Sequence, residues 1–142
     1  MDTQEVKLLE KIPGNPSPEK ILPFIQMNII NGKYFQLIKV FTKYNDGDIS
    51  DLMQINIKTF RTYKSKRTAS VKSSFLSERL VMLLSLFKHG KEVFGNVEKF
   101  DEWLNKKNFL FAKKSPREFL NTMSGIKFVN DRLTGMQYGD NA

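Results

Sequence analysis

The stretch DISDLMQINIKTFRTYKSKR, residues 48–67, decides the fold. Asp48 can cap a short helix over residues 48–53, Gln54-Ile55-Asn56 can form a tight turn, and Asn56 can cap a second helix from Ile57 to about Lys66. Ile49, Met53, Ile55, Phe60 and Tyr63 fall where two such helices lock together, and Ser50 is the small residue needed where they touch. The pattern predicts a helix-turn-helix. Gln54 occupies the turn position that usually holds glycine, so this residue is expected in the left-handed region, which is uncommon for a side chain with a Cβ. With Phe60 and Tyr63 inward, the second helix turns Asn56, Lys58, Thr59, Arg61, Thr62, Lys64, Ser65, Lys66 and Arg67 outward as a DNA-binding set. Arg61 suits the O6 and N7 of a guanine, and Lys64, Lys66 and Arg67 suit phosphates.

Charge supports that assignment. The chain of 142 residues carries a net charge of +8 with a pI near 9.7. Between Ile57 and Arg79 lie Lys58, Arg61, Lys64, Lys66, Arg67, Lys72 and Arg79 against a single acid, Glu78, so six of the eight net charges are local. A basic stripe of this kind is the footprint of a surface that meets phosphates.

Outward from this stretch, the signals remain helical. Pro13, Gly14, Asn15 and Pro16 form a breaker cluster, which predicts a mobile segment over 1–16. Ser17-Pro18-Glu19 predicts a helix start, with the helix closed by Gly32 and disturbed at Pro23. Tyr34, Leu37, Ile38 and Phe41 form the stripe of a helix over 33–44. Leu80, Leu83, Leu84 and Phe87 predict another over 77–94, and Phe100, Trp103 and Leu104 one over 97–105, with Trp103 in the core. Ser115-Pro116-Arg117-Glu118 has capping-box spacing and predicts a helix over 116–123, followed by a last one over 126–134. No segment alternates as a half-buried strand does, so the fold class is all-α: a helix-turn-helix domain over 17–76 packed with a C-terminal helical domain over 77–142.

Several function classes fall away. The absence of cysteine removes disulfides, thiolate zinc sites and cysteine nucleophiles, and agrees with a reducing cytoplasm. The start Met1-Asp2-Thr3-Gln4-Glu5 has no signal-peptide character, and the longest apolar run, residues 80–87, is too short to span a membrane. His89, the single histidine, has no partner at metal or triad spacing and is expected to cap its helix or lie on the surface. Glu98, Asp101 and Glu102 alternate with lysine as on a solvated face, and no phosphate-cradling glycine loop occurs. Catalysis, metals and cofactors are not expected.

The C-terminal landmarks are Arg79-Leu80-Val81, Glu92-Val93-Phe94-Gly95-Asn96, Trp103-Leu104, Ser115-Pro116-Arg117-Glu118-Phe119-Leu120, Thr122-Met123-Ser124-Gly125 and Tyr138-Gly139. In order and spacing they resemble the toxin-binding domain of Xre/MbcA/ParS-type antitoxins, and the upstream helix-turn-helix lies where that family has one. Two departures stand out. Lys107 precedes Asn108 where the family usually has proline, and Ala112-Lys113 replace glycines often found there. The resemblance implies the antitoxin of a type II pair, which blocks its toxin by direct binding and represses the shared operon. It further implies a toxin of the NAD-consuming RES-domain kind. By the same analogy Asn130, Leu133, Gln137, Tyr138, Gly139, Asp140, Asn141 and Ala142 would face the toxin, with Tyr138 as the aromatic anchor. A homodimer is expected from the two-fold character of operators. The competing expectation is a stand-alone dimeric regulator with no toxin.

Overall fold

Helix α6 (Ser74–Phe94) explains the architecture, because Leu80, Val81, Leu83, Leu84, Leu86 and Phe87 are buried around its whole circumference. A helix that is apolar on all sides must be enclosed by others. The structure, a computed structural model, describes residues 1–139, and among these it is all-helical with no strand. The other α-helices among the described residues are α1 (Thr3–Lys11), α2 (Pro18–Met27), α3 (Gly32–Thr42), α4 (Asp46–Met53), α5 (Ile57–Ser65), α7 (Val97–Asn105) and α8 (Met123–Gln137), of which α2, α3, α4, α7 and α8 pack directly on α6. One contiguous core runs from Leu9 to Leu133 through both halves of the chain.

The ends of α6 follow from local chemistry. Ser73 accepts from the Leu76 N–H at its start, and Gly95 at φ 92° closes it, a conformation that suits a residue with no Cβ. The stripe Tyr34, Leu37, Ile38 and Phe41 on α3 is buried as expected, together with Phe35.

Several boundaries differ from the sequence expectations. Residues 1–16 do not stand apart from the folded body. Asp2 and Glu5 form a reciprocal capping box on α1, Leu9 and Ile12 are buried, and α6 straps the segment down from beneath. Lys88 Nζ donates to the carbonyls of Leu9 (2.9 Å) and Ile12 (2.8 Å), and Ser85 Oγ donates to that of Pro13 (2.6 Å). Helix α2 stops at Met27, because residues 29–30 run extended so that the Ile30 carbonyl can accept from the Val71 N–H at 2.8 Å. Gly32 therefore opens α3 instead of closing α2, with Asn31 as its cap. Asn45, not Asp48, caps α4. The capping box at Ser115–Glu118 forms, but it starts a 3-10 turn over Pro116–Phe119 in place of an α-helix to 123. Thr122 then caps α8, accepting from the Gly125 N–H at 2.9 Å.

Candidate functional site

The turn between α4 and α5 adopts the strained conformation its sequence demands. Gln54 sits at φ 57°, ψ 42°, and its N–H and its side-chain amide both donate to the Asp51 carbonyl. The Ile55 N–H reaches the Ser50 carbonyl, and Ser50, Ile49 and Met53 are buried against the turn. Asn56 Oδ1 accepts from the Lys58 N–H at 2.7 Å to start α5. Phe60 is fully buried, and the Tyr63 ring stacks on Phe35 at 4.8 Å, so α5 commits one face to α3. Asn56, Lys58, Thr59, Arg61, Thr62, Ser65, Lys66 and Arg67 are exposed, and Lys64 is half-buried.

The electrostatics of this face are not those of a bare basic stripe. Arg79 is 1% exposed and donates into the interior, to the carbonyls of Leu52 and Leu120, so the surface surplus excludes it. Asp46, at the start of α4, collects three cations: Lys39 at 3.0 Å, Arg61 at 3.0 Å and Lys64 at 2.9 Å. It is Arg61 Nε that binds Asp46, which leaves the two terminal nitrogens of the guanidinium at the exposed end. Arg67 is held by Gln4 of α1 at 3.2 Å. The Asp46 hub is not legible in the sequence because its partners lie 15 and 18 residues downstream, on α5, and 7 upstream, on α3.

The ion pairs with Lys64 and then Lys39 hold the Asp46 carboxyl well below the usual carboxylate range, although its partial burial opposes them. A folded-state value below the unfolded one of about 3.9 means that the stabilisation is complete above the unfolded value and is lost progressively as pH falls from there towards the folded-state value. Asp46→Asn is therefore expected to lower stability at pH 7 by about 1–2 kcal/mol, an estimate that allows for solvent screening of the partners. The difference from the parent should close as pH is lowered below about 4. Urea titrations at pH 7, 5 and 3 measure it, and a gap that persists unchanged at pH 3 would contradict the ion-pair account.

In the C-terminal half, the toxin-facing residues expected from the sequence divide by burial. Leu133 is a core residue, and Asn130 is buried at the heart of a polar network. His89, expected at a surface or cap, is 1% exposed instead. Its Nδ1 lies 2.6 Å from Asn130 Oδ1 and its Nε2 3.1 Å from Gln137 Oε1, because α8 crosses α6 at this point. Asn130 Nδ2 also donates to Asn15 at 3.0 Å, so the network joins α6, α8 and the segment after α1. Gln137, Tyr138 and Gly139 are exposed, Tyr138 at 83%. Asp140, Asn141 and Ala142 lie outside the described residues.

Trp103 is buried as expected, within ring contact of Phe94, Phe100 and Phe111. The acids of α7 do more than solvate a face. Asp101 accepts from the Tyr44 hydroxyl, and Glu98 pairs with Lys43, so α7 is tied to the end of α3. Burial, and next the bond to Asp101, raise the Tyr44 hydroxyl far above its ordinary value.

Between α7 and the 3-10 turn, residues 106–114 close a small hairpin. The Asn108 N–H donates to the Lys114 carbonyl at 2.9 Å, and the Lys113 N–H to the Asn108 carbonyl at 3.1 Å. Ala112 and Lys113 both lie in the left-handed region, at φ 55° and 64°. That conformation costs roughly 1–2 kcal/mol for each residue with a Cβ, and these are the two positions where the resembled family often has glycine. Among the described residues, no helix is long and apolar enough to cross a membrane, and no group of three or more His, Asp or Glu could hold a metal ion.

Residues 89–139 match the family model described as the antitoxin Xre/MbcA/ParS C-terminal toxin-binding domain. No curated protein matches the chain. The matched segment opens on buried His89, spans α7, the hairpin and the 3-10 turn, and ends just past α8. The resemblance drawn from the dispersed landmarks is thus borne out over residues 89–139, which are similar to the antitoxin Xre/MbcA/ParS C-terminal toxin-binding domain.

Proposed function

We propose that the chain is the antitoxin of a type II toxin–antitoxin pair, which neutralises its toxin through the C-terminal half and represses their operon through α4 and α5. The observation that carries the reading is the match of residues 89–139 to a toxin-binding domain. The DNA role draws support from the outward polar and basic face of α5, where eight of the nine expected contact residues are exposed. In this reading Arg61 reads a base edge through its two terminal nitrogens while Asp46 fixes its Nε side. Lys58, Lys66 and Arg67 meet phosphates. The toxin is a RES-domain, NAD-consuming enzyme, the antitoxin acts in the cytoplasm as a homodimer, and the exposed end of α8 with Gln137, Tyr138 and the last three residues meets the toxin. Leu133 and Asn130 serve this contact from within, by holding α8 in place.

Co-expression with the protein encoded beside this chain tests the toxin arm. Rescue of growth and co-purification are expected, and growth arrest without co-purification would sink the reading. For operator DNA, Arg61→Ala is expected to lose sequence preference. Lys66→Ala should weaken binding to all sequences and reduce the slope of log K against log salt by about one. Variants that bind operator DNA as the parent does would remove the DNA role and leave the toxin role standing.

A further inference from the structure

The hairpin over residues 106–114 holds an arrangement that packing within this chain does not use. Of its three consecutive apolar residues only Phe111 faces the core, where it meets Trp103, Phe119 and Phe128. Phe109 is 82% exposed and Leu110 44%, although the backbone around them is fixed by hydrogen bonds at both ends. Phe128, two-fifths or more of it open to solvent, lies with its ring 5.2 Å from that of Phe111 and extends the apolar patch onto α8. Lys106 and Lys107 lead into the hairpin and Lys113 and Lys114 lead out, all four exposed, and no acid occurs from Trp103 to Arg117. The lysines are close enough together for Lys114 and Lys107 both to add to the lowering of the Glu118 carboxyl, which is set mainly by its bonds from Ser115. A strained, closed turn that presents an aromatic ring between two pairs of exposed lysines is more than a connection requires.

We propose that this hairpin is a second docking element for the toxin, separate from the end of α8, and that the toxin surface it meets is an apolar socket for the Phe109 ring bordered by carboxylates. The inference rests on the antitoxin reading, since the occupant is its toxin. Two observations choose a protein over other polyanions. The hairpin lies inside the segment matched to a toxin-binding domain, and Phe111 beneath its exposed Phe109 and Leu110 is in ring contact with Phe128, a further exposed apolar side chain that a complementary protein surface can cover. An aromatic anchor desolvated in a pocket governs dissociation, while the surrounding charges govern encounter. The two contributions are therefore separable by kinetics.

Binding of the purified protein encoded beside this chain is measured for the parent, Phe109→Ala, the double charge reversal Lys107→Glu/Lys113→Glu, and Lys7→Ala on α1 as a remote control. Phe109→Ala is expected to dissociate at least tenfold faster. The double reversal should slow association at least fivefold at low salt, with the effect shrinking as salt is raised, and Lys7→Ala should match the parent. Phe109 is 82% exposed, so an unchanged thermal midpoint checks that the variant folds. If the parent binds and both hairpin variants bind identically to it, the docking element is overturned and the antitoxin reading survives. If the parent itself does not bind, the antitoxin reading falls and takes the hairpin with it. Vesicles of phosphatidylserine and phosphatidylcholine provide a second arm. Binding of the parent to them, abolished by Phe109→Ala while the protein kinetics stay unchanged, would assign the hairpin to a lipid surface and overturn the proposal.

Discussion

Replacing Arg79 with alanine is expected to lower the free energy of unfolding by about 3–5 kcal/mol. The side chain is among the largest fully buried ones, and its guanidinium donates to two carbonyls rather than to a carboxylate: Leu52 near the end of α4, from Nε at 2.8 Å and from a terminal nitrogen, and Leu120 after the 3-10 turn. Burial lowers its affinity for a proton, yet guanidinium remains charged at any pH the protein meets. The interior accepts that charge because the two carbonyl dipoles point at it, and because Leu52 lies in the last turn of α4, at the negative end of the helix dipole. Alanine would leave both acceptors without donors, at about 1–3 kcal/mol each, and would open a cavity where the side-chain stem now packs. Arg79→Lys should recover less than half of the loss, since one ammonium cannot reproduce the fork that spans both carbonyls. Denaturant unfolding of the three proteins decides this, and a midpoint for Arg79→Ala within about 1 kcal/mol of the parent would contradict the assigned role. The effect should extend to both halves together, because Arg79 on α6 joins the α4–α5 pair to the turn that precedes α8.

Features set within a few residues were legible in the sequence, and those set by distant packing were not. The left-handed conformation of Gln54 was legible from the spacing of the turn, because this residue occupies the position that usually holds glycine. The stripes of α3, α6 and α7 were equally plain, because periodicity is a local property. Arg79 reads as one more surface cation in the sequence, for nothing near it in the chain records that carbonyls 27 and 41 residues away converge on it. The burial of His89 is hidden for the same reason: its partners Asn130 and Gln137 arrive only when α8 folds back over α6. The capping box at Ser115 fixed where a helical turn begins but not how long it lasts. Leu120 must give its carbonyl to Arg79, and Thr122 restarts the chain as α8. For the candidate surfaces, the exposure of the α5 set proposed to face DNA was readable from its amphipathic pattern, whereas the ties that Asp46 makes to it were not. Phe109, Leu110 and Phe111 form one apolar run in the sequence, and only the hairpin backbone separates the one that enters the core from the two that do not.

Gly125→Ala is expected to destabilise the protein by about 2–3 kcal/mol, although alanine is the better helix former by about 1 kcal/mol. Gly125 lies in the first turn of α8, and a Cβ there would fall well inside van der Waals contact of the Phe119 carbonyl oxygen. The obstacle decides the sign. A flexible side chain could swing aside, but this oxygen belongs to the backbone of the 3-10 turn, which is held by buried Pro116, by the Ser115–Glu118 capping box and by the Leu120 bond to Arg79. The start of α8 must therefore move, and with it the helix that carries Asn130 and Gln137 onto His89. Gly14→Ala is the matched control, since nothing lies within 4 Å of a Cβ added there. In denaturant unfolding the Gly14 variant should stay within about 0.5 kcal/mol of the parent while the Gly125 variant falls well below it. Co-purification with the toxin should weaken in parallel, because the surface proposed for the toxin at the end of α8 is positioned from the start of that helix. If Gly125→Ala were as stable as the parent, helix propensity would outweigh the overlap, and the joint between the turn and α8 would be too loose to position that surface.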